Sequence, residues 1–436
     1  MSDFKRILIL GTGPTSIQLA VSLKKQSNCY VGIAGRESVR SKSFFWALKQ
    51  SNKLIRVSVQ SEKHRNVEGK CFVDQIFKGY ETVRGKWDTV ILTVTTDAYI
   101  EVIKQLNKEV LQYVRCIVLI SPTFGSNNLI SSYINNINSN VEIISFSTYY
   151  GDTRWIHDNP SNHALTTAIK KTVYIGSTHY PSENIVVLCD IYKELGINLE
   201  VMRSPIEAET RNISLYVHPP LFMNSFSLNA IFEDRDTKKF VYKVYPEGPI
   251  TQYLIRDMLS QWKEVMNILR HMKVEELNLL KFMIDDNYPI RPESLSRQDI
   301  ENFPHLETIH QEYLLYVRYT SLLIDPYSEP DKNGRYFDFS AVPLRKVFVN
   351  REGYLDIPRM PKEDYYRIKI IQGIARFLNL DCPTIDKFIN TYESKIEGFA
   401  QSQKEKLLSN AFNVQSFTED LNMICNKIGK NKQQSY

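Results

Sequence analysis

The stretch Ile7-Leu8-Ile9-Leu10-Gly11-Thr12-Gly13-Pro14-Thr15-Ser16 decides the fold of the N-terminal part of the chain. An apolar run that leads into a glycine-rich turn and then a helix is typical of a dinucleotide-binding βαβ unit. Gly11 would permit the tight turn, Gly13 would let the backbone approach a pyrophosphate, and the helix would direct its unpaired N–H groups at that charge. Since Ser16 replaces the third glycine of the pattern, a plain strand-to-helix turn is the alternative interpretation. The predicted nucleotide loop comprises Gly11, Thr12, Gly13, Pro14 and Thr15.

A second strand is expected from Tyr30 to Ala34, and it leads into Gly35 and Arg36. An acidic residue at this strand end would accept hydrogen bonds from a ribose 2′-hydroxyl, whereas cations suit a 2′-phosphate. Arg36, with Arg40 and Lys42 behind it, therefore predicts NADPH rather than NADH as the cofactor. Basic residues on a surface turn are usually solvated, so this prediction depends on their position directly after the strand.

Length and composition predict a two-domain protein without nucleic acid or membrane partners. The chain has 436 residues, and a single core stops growing at roughly 250–300 residues. Its net charge of +5 comes from dispersed basic residues, which does not predict nucleic-acid binding. No apolar stretch is long enough to span a bilayer and no signal-peptide pattern is present, so we expect a cytoplasmic location. The six cysteines lie far apart, which argues against disulfides and a zinc site, and we expect no catalytic metal.

Three further strands are expected, each followed by a polar loop. They are Thr89 to Val94, leading into Thr95-Thr96-Asp97; Cys116 to Ile120, leading into Ser121-Pro122-Thr123; and Val141 to Phe146, leading into Ser147 to Arg154. In a doubly wound sheet such loops line one crevice with the glycine loop. Thr95, Thr96 and Pro122 are therefore candidate cofactor-binding residues, and Asp97 or Thr96 is the expected cap of the next helix.

The pattern changes near residue 186, from alternating strands and crossovers to long helices. We predict an α/β fold with a Rossmann-type doubly wound parallel sheet in residues 1–185, and a mostly α-helical catalytic domain in residues 186–436. A small β excursion is expected around Tyr336–Ser340 and Val347–Val349, and a frayed tail from Gly429 onward. The expected helices are Glu207 to Val217, Ile250 to His271, Leu306 to Ile324, Lys362 to Leu378 and Thr384 to Gln401.

His218 stands immediately before Pro219 and Pro220, which should end the helix that precedes them. A histidine at a helix end can act as a general acid and base because imidazole exchanges protons near neutral pH. A cap or a packing residue is an equally good interpretation. A general base usually needs a carboxylate to orient it, and Asp325, followed by Pro326, is one candidate. Asp325 is also consistent with a simple helix-ending turn.

Taken together, these motifs resemble the opine dehydrogenases, and within them the branch that makes opine metallophores such as staphylopine, pseudopaline and yersinopine. The resemblance covers nearly the whole chain and is weak only near the C-terminus. The matching stretches are Gly11–Pro14, Leu119–Ser126, Ser145–Tyr149, Gly151–Arg154, Glu209–Asn212, Ser214–Asn224, Tyr245–Thr251, Gln311–Thr320 and Tyr336–Pro343.

The resemblance implies an NADPH domain joined to a helical catalytic domain, with the active site in the cleft between them. It implies that a 2-oxo acid, pyruvate or 2-oxoglutarate, condenses with the primary amine of a histidine-derived, nicotianamine-like aminobutyrate intermediate. The carbinolamine loses water to give an imine, NADPH delivers hydride to the imine carbon, and the product is a metal-chelating opine. Overall resemblance favours pyruvate, a yersinopine-like product and a homodimer, and it leaves L- and D-histidine open.

The resemblance also implies roles for individual residues. His218 matches the catalytic histidine, Asp325 the carboxylate paired with it, and Asp152 is a second acidic candidate for binding the amine or steering protons. Arg36 and Lys42 match the positions expected at the 2′-phosphate. The substrate-binding candidates are Arg154, Arg211, Asn212 and Asn224. A structural ion pair is the alternative role for Arg154 and for Arg211.

Two other functions are compatible with these residues. One is an NADPH-dependent 2-oxo or hydroxy acid reductase of similar architecture, and the other is an NADPH-binding sensor without catalytic activity. NADPH oxidation that requires an amine as well as an oxo acid would exclude the first.

Overall fold

The computed structural model describes residues 4–157, 159–233, 238–321, 339–403 and 405–433. The chain divides into a first unit, Met1–Asn212 with Thr418–Tyr436, and a second unit, Ile213–Phe417. The sequence analysis placed its boundary earlier, between residues 185 and 186. None of the described helices has the length and apolarity that a membrane crossing requires.

In the part of the chain that the structure describes, the first unit contains twelve strands. They are β1 (Arg6–Leu10), β2 (Tyr30–Gly35), β3 (Leu54–Val59), β4 (Gly69–Phe72), β5 (Gln75–Lys78), β6 (Thr89–Leu92), β7 (Cys116–Leu119), β8 (Glu142–Phe146), β9 (Gly151–Trp155), β10 (His163–Ile169), β11 (Thr172–Ser177) and β12 (Asn198–Val201). The helices between them are α1 (Pro14–Gln26), α2 (Val39–Gln50), α3 (Tyr99–Lys104), α4 (Lys108–Tyr113), α5 (Ser126–Ile134), α6 (Glu183–Glu194) and α7 (Pro205–Thr210).

Eight of these strands form one sheet in the order β12-β11-β8-β7-β6-β1-β2-β5. All neighbouring strands in it are parallel except β8 and β11. Strand β1 is fully buried over Ile7–Leu10, because both faces of a parallel sheet are covered. The chain order reverses at β1, which pairs with β2 on one side and β6 on the other. The predicted Rossmann-type sheet is confirmed.

Residue 186 does not end this unit, because the chain adds one more strand after α6. Strand β12 pairs in parallel with β11, for example Val173 with Leu199. Helix α7 then contacts β8 and β11. The expected boundary therefore falls inside α6, and the first unit continues to Asn212.

A four-stranded sheet in the order β4-β3-β10-β9 completes the first unit. The sequence predicts a loop from Ser147 to Arg154, after the strand that ends at Phe146. The structure instead makes Gly151–Trp155 a strand, because it pairs antiparallel with β10, Arg154 opposite Leu165. Alternate residues of β9 are exposed, as expected for a strand with one solvated face.

The second unit is mostly helical. Its helices are α8 (Ser214–Phe222), α9 (Ser225–Phe232), α10 (Gln252–His271), α11 (Leu279–Asp285), α12 (Arg297–Asn302), α13 (Thr308–Thr320), α14 (Arg359–Phe377) and α15 (Pro383–Ser402). A short hairpin pairs β13 (Phe348–Val349) with β14 (Leu355–Asp356), which confirms part of the predicted β excursion. The other part of the predicted β excursion was Tyr336–Ser340. Of these residues, Tyr336–Asp338 lie outside the described ones, and Phe339–Ala341 form a single 3-10 turn.

The chain returns to the first unit in a last helix, α16 (Thr418–Gln433). Ile424 and Ile428 are buried, and α16 packs on α5, where the Ser132 hydroxyl donates to the Met423 carbonyl at 2.8 Å. The helix continues past Gly429, where a frayed tail was expected, to Gln433, and residues 434–436 lie outside the described residues.

Candidate functional site

The glycine loop has the backbone that its sequence predicts. Gly11 has φ +139°, and its N–H donates to the Ala34 carbonyl at 2.8 Å. A Cβ on Gly11 would lie 2.4 Å from Thr93 Oγ1, so this position requires glycine. Ser16 occupies the third motif position, where its hydroxyl forms a hydrogen bond with the Thr93 hydroxyl at 2.7 Å.

The N-terminus of α1 fits a bound phosphate group. Gly13 is its N-cap and supplies no side-chain hydrogen bond, so the first N–H groups of the helix are not capped by a side chain. A Cβ on Gly13 would meet no atom within 4 Å, so there is open space beside Gly13 at the start of the helix. The remaining loop residues, Thr12, Pro14 and Thr15, are half-buried. Helix dipole, uncapped N–H groups and space together make an anion site.

Arg36, Arg40 and Lys42 are all exposed around the start of α2. Ser38 caps this helix, and the Ser41 hydroxyl donates to the Arg36 carbonyl at 2.6 Å, which fixes the turn. A Cβ on Gly35 would lie 2.1 Å from Thr12 Cγ2, so the end of β2 packs directly against the glycine loop. The first of the three cationic residues, Arg36, therefore comes directly after the point where β2 meets the glycine loop.

Thr95, Thr96 and Pro122 follow β6 and β7, whose carboxyl ends lie at the same sheet edge as that of β1. Thr95 is exposed and is the N-cap of a single 3-10 turn, so the predicted caps, Thr96 and Asp97, were wrong. Thr96 is buried and accepts from the Thr123 N–H at 3.2 Å. Pro122 is buried as well. Of the three, Thr95 presents its side chain most freely.

Glu209 is fully buried, and sequence analysis assigned it no role. Its carboxylate accepts from the Gly125 N–H at 2.9 Å, the Asn127 N–H at 2.7 Å and the Ser145 hydroxyl at 2.8 Å. Burial raises the pKa of this carboxyl to about 7, while the hydrogen bonds from Asn127, Ser145 and Gly125 act in the opposite direction. Glu209 thereby joins α7 to the N-terminus of α5.

Arg211 and Asn212 follow at the end of α7, and both are buried. The Nη1 atom of Arg211 is buried without a hydrogen-bond partner among the described residues. A buried guanidinium donor without an acceptor suits an anionic ligand.

Asp152 and Arg154 both lie on the exposed face of β9. The Asp152 carboxylate accepts from the Thr167 hydroxyl at 2.7 Å, across the pair of strands β9 and β10. Neither residue stands in a loop, contrary to the sequence analysis, and their catalytic and substrate-binding roles stay predictions.

His218 lies inside α8, and the expectation that Pro219 and Pro220 end this helix was wrong. Each proline lacks a backbone donor, and Pro219 lacks the N–H that would have bonded to the Leu215 carbonyl. Gln261 on α10 replaces it, since its Nε2 donates to that carbonyl at 2.7 Å. His218 therefore lies within a continuous helix, and a side chain of α10 bonds to the carbonyl that Pro219 leaves without its helical donor.

His218 pairs with Asp364 on α14, which sequence analysis missed. Nδ1 of His218 lies 3.3 Å from Oδ1 of Asp364, an electrostatic contact without hydrogen-bond alignment. Asp364 is fully buried, whereas the His218 side chain is 19% exposed. Asp325, the predicted partner, lies outside the described residues. The only sequence signal for Asp364 was a pair of acids, Glu363 and Asp364, in a helix that is otherwise rich in apolar residues.

Arg367 holds Asp364 in place from the next turn of α14. Its Nη1 donates to Asp364 Oδ1 at 2.9 Å, and its Nη2 donates to Glu363. Burial opposes the ionisation of Glu363, but the charges of Arg367, Arg359 and His218 outweigh it and lower the pKa of this carboxyl. Two acids thus share one buried arginine, and Glu363 also pairs with Arg359.

Asn224 does not have a free amide. Its Oδ1 caps α9 by accepting from the Ser227 N–H at 2.9 Å, and its Nδ2 donates to the Pro220 carbonyl at 2.8 Å. Both ends of the amide are thus engaged in capping the helix, and its substrate-binding role stays a prediction. Within the described ranges, no group of three histidine, cysteine or acidic side chains is placed to hold a metal ion.

Known proteins resemble this chain over nearly its whole length. A family model described as staphylopine dehydrogenase matches residues 5–428. Staphylopine synthase of Staphylococcus aureus is 47% identical over 417 residues, which are 95% of this chain and 96% of that protein. Pseudopaline synthase of Pseudomonas aeruginosa is 34% identical over 397 residues, 91% of each chain. The solved structure of yersinopine dehydrogenase bound to NADP+ has a TM-score of 0.91 and 27% identity, and covers 99% of this chain and 100% of that one. The chain therefore belongs to the staphylopine dehydrogenase family of opine dehydrogenases.

Proposed function

We propose that this protein is an NADPH-dependent opine dehydrogenase that condenses a 2-oxo acid with a histidine-derived aminobutyrate amine to give an opine metallophore. Family membership supports the reaction class. The observation that carries the proposal is the pair of a partly exposed His218 and a buried, ionically fixed Asp364, since this reaction needs one group that both accepts and donates a proton.

The cofactor site fits NADPH. The N-terminus of α1, with Gly11, Thr12, Gly13, Pro14 and Thr15, would hold the pyrophosphate, and Thr95, Thr96 and Pro122 stand at the same sheet edge. Arg36, Arg40 and Lys42 would bind the 2′-phosphate, because the residue directly after β2 is Arg36 and not an acid. NADPH, when bound, supplies the hydride that reduces the imine. A family relative, yersinopine dehydrogenase, has been solved with NADP+.

His218 would manage the protons of the condensation. With Nδ1 facing Asp364, Nε2 is the ring atom left for the substrate. It takes a proton from the substrate ammonium, so that the neutral amine forms a C–N bond to the carbonyl carbon. It then returns a proton to the carbinolamine hydroxyl, which leaves as water when the C=N bond forms. Asp364 stabilises the imidazolium between these two steps.

The substrates are carboxylates, which requires cationic or amide donors. Arg211 and Asn212 are buried donors at the end of α7, and Arg154 is an exposed one on β9. Pyruvate is the favoured oxo acid and 2-oxoglutarate the alternative, on overall resemblance to the family. The histidine moiety of the amine can be the L or the D form. Asp152, exposed on β9, is the proposed contact for the ammonium group.

NADPH absorbance tests the proposal. Purified protein is mixed with NADPH, the histidine-derived aminobutyrate amine, and pyruvate or 2-oxoglutarate in separate cuvettes, with NADH in a parallel series. We expect oxidation only when amine and oxo acid are both present, and faster oxidation of NADPH than of NADH. Oxidation with the oxo acid alone would instead show a hydroxy acid reductase. NADPH binding without oxidation under any of these conditions would favour a sensor.

A further inference from the structure

Four charged side chains of α14 form a row that leads to His218. Arg359 pairs with Glu363, and Glu363 pairs in turn with Arg367. Arg367 donates to Asp364 Oδ1 at 2.9 Å, and His218 Nδ1 lies 3.3 Å from the same oxygen. The row therefore alternates in sign from Arg359, whose side chain is 68% exposed, to Asp364, which does not reach solvent.

Arg367 and His218 compete for one atom of this row. Both face Oδ1 of Asp364, while the other oxygen, Oδ2, has no hydrogen-bond partner among the described residues. The side chains of Arg367 and Asp364 are 5% and 0% exposed, so water and salt screen this contact little. An arginine at this distance that had no other carboxylate would offset much of the negative charge that Asp364 can present to an imidazolium.

Glu363 limits this competition. It is buried, and one of its oxygens accepts from Arg367 while the other accepts from Arg359. Burial would raise the pKa of the Glu363 carboxyl, but the charges of Arg367, Arg359 and His218 lower it. Because an influence between two charges is reciprocal, the ionised Glu363 favours the cationic form of His218.

The neighbouring elements contribute mainly uncharged groups. Helix α9 has no ionisable side chain, and the acids and arginines of α10 pair with groups outside α8 and α14. One cation of α13, Arg318, influences the Tyr242 hydroxyl. The charge around His218 is therefore set chiefly by α14. The neutral groups are Phe222 against the imidazole, Gln261 on the α8 backbone, and the Tyr242 and Tyr392 hydroxyls near Asp364, which stay protonated because burial raises their pKa.

We infer that Glu363 is a positioning residue for the proposed reaction: it takes up the charge of Arg367, so that the Asp364 carboxylate holds the imidazolium of His218. The inference rests on the proposed function. No bond of the condensation forms or breaks at Glu363. Its effect is on how readily His218 accepts the proton of the substrate ammonium and returns a proton to the carbinolamine hydroxyl.

Glu363→Gln tests the inference, because it removes the charge and keeps the volume. The imidazole of His218 is titrated by NMR in the full-length protein with isotope-labelled histidine, and its signal is assigned by its loss in His218→Ala. We expect the midpoint of this titration to fall by about one pH unit, the lower end of the effect of one nearby charge. The limb of the kcat/KM pH profile that His218→Ala abolishes should move by the same amount, and the KM of NADPH should not change.

Three further variants separate charge from shape. Glu363→Asp keeps the charge and should leave the midpoint close to that of the wild type. Arg359→Gln removes a cation from the exposed end of the row and should raise the midpoint slightly, since water screens this side chain. Glu393→Gln is the matched control, because it removes the carboxylate that pairs with Lys369 of α14, and it should leave the midpoint unchanged.

An unchanged midpoint in Glu363→Gln, or an equal fall in Glu363→Asp, would overturn the inference even if thermal stability drops, since a merely structural acid gives that pattern. If Glu363→Gln does not fold, the double variant Glu363→Gln with Arg367→Gln decides, because replacing both partners leaves neither of them buried with an unpaired charge. Its midpoint should lie at or above that of the wild type, since Asp364 has lost the cation that competes with His218. A midpoint below the wild type in the double variant would overturn the inference.

The NMR titration separates this inference from the proposed function, because it needs no turnover. If the wild type shows no amine-dependent NADPH oxidation, the proposed function fails, and the midpoints still decide whether Glu363 governs the charge of His218. If the wild type does catalyse the reaction, a midpoint that falls in Glu363→Gln while the kcat/KM profile stays in place would overturn the positioning role.

Discussion

His218 has one ring nitrogen facing Asp364 and a side chain that is 19% exposed, so its other nitrogen is the atom that can exchange a proton with a substrate. Asp364 does not reach solvent and is fixed by Arg367 at 2.9 Å. Under the proposed function the two residues would have different tasks: His218 would contact the substrate, and Asp364 would position His218 and balance its charge.

His218→Ala should lower kcat by about 10²–10⁴, the usual contribution of a general acid and base. NADPH affinity should stay the same, because the glycine loop and the cations after β2 belong to the first unit. Steady-state kinetics and NADPH fluorescence titration measure the two quantities. Near-normal turnover would end the catalytic role of His218.

The role of Asp364 is tested by the same assay in a double-mutant cycle. Asp364→Asn should slow the wild type about tenfold or more, but it should have little further effect in the His218→Ala background, because a positioning residue acts only through the group it positions. Asp257→Asn, which removes a carboxylate paired with Lys387 on the surface of α10, is the control. Equal effects of Asp364→Asn in both backgrounds would show that it acts independently of the histidine.

For single residues, the sequence predicts a role when one short stretch contains the whole motif to which the residue belongs. The roles of the glycine loop, Arg36 and His218 were predicted in this way. Asp364 was not, because it is 146 positions from His218 and becomes its neighbour only when α14 packs on α8. Glu209 was missed for the same reason, since its partners Gly125 and Ser145 come from other elements.

Among the elements, helix α5 has an internal carboxylate at its N-terminus. Glu209 accepts from the Gly125 and Asn127 N–H groups, which a helix of this kind otherwise offers to a ligand. Its pKa is raised to about 7, with burial as the leading cause. The folded protein therefore binds this proton more tightly than the unfolded chain does.

The sign of the pH dependence follows from linkage. Since the ordinary pKa of 4.5 rises to about 7 on folding, the contribution of Glu209 is fully present below about pH 4.5 and is lost as the pH rises through about 7. At about 1.4 kcal/mol per pKa unit this amounts to roughly 3 kcal/mol. Glu209→Gln cannot titrate, so the difference in unfolding free energy between wild type and variant should be larger at pH 5 than at pH 8.

Denaturant unfolding at the two pH values measures this difference. The variant should also be less stable overall by about 1–3 kcal/mol, because an amide offers one acceptor oxygen where the carboxylate offered two. Glu200→Gln, an exposed acid on β12, controls for the loss of a surface charge. A difference that grows with pH would contradict the prediction and would mean that the hydrogen bonds outweigh burial.

The local sequence pattern predicted whether these segments form helices or strands. The exceptions are explained by contacts in the tertiary structure. The buried runs in β1, β6, β7 and β8 and the helical periodicity in α10, α14 and α15 predicted these elements. Local rules failed at α8, where Gln261 compensates for a proline, and at β9, which is a strand because β10 offers it a partner. Both cases depend on a residue distant in sequence.

For the whole molecule, the sequence predicted a Rossmann-type unit and a helical unit but not their division along the chain. The first unit closes only when α16 is added after the entire second unit. Nothing in the local sequence of α16 distinguishes a helix of one unit from a helix of the other, because both would show the same amphipathic pattern. The homodimer stays a prediction.

Removing Thr418–Tyr436 should destabilise the first unit although the truncated segment contains no candidate site residue. Ile424 and Ile428 are 1% and 4% exposed, and burying each contributes about 1.5–3 kcal/mol. The truncation also removes the Ser132 to Met423 hydrogen bond and the Lys104 to Glu419 ion pair. Ile424→Ala alone should cost about 2–5 kcal/mol, whereas Asn422→Ala, on the exposed face of α16, should cost little. The measurement is the denaturant midpoint at which NADPH binding is lost. An unchanged midpoint in the truncated protein would show that the NADPH-binding unit is complete without α16.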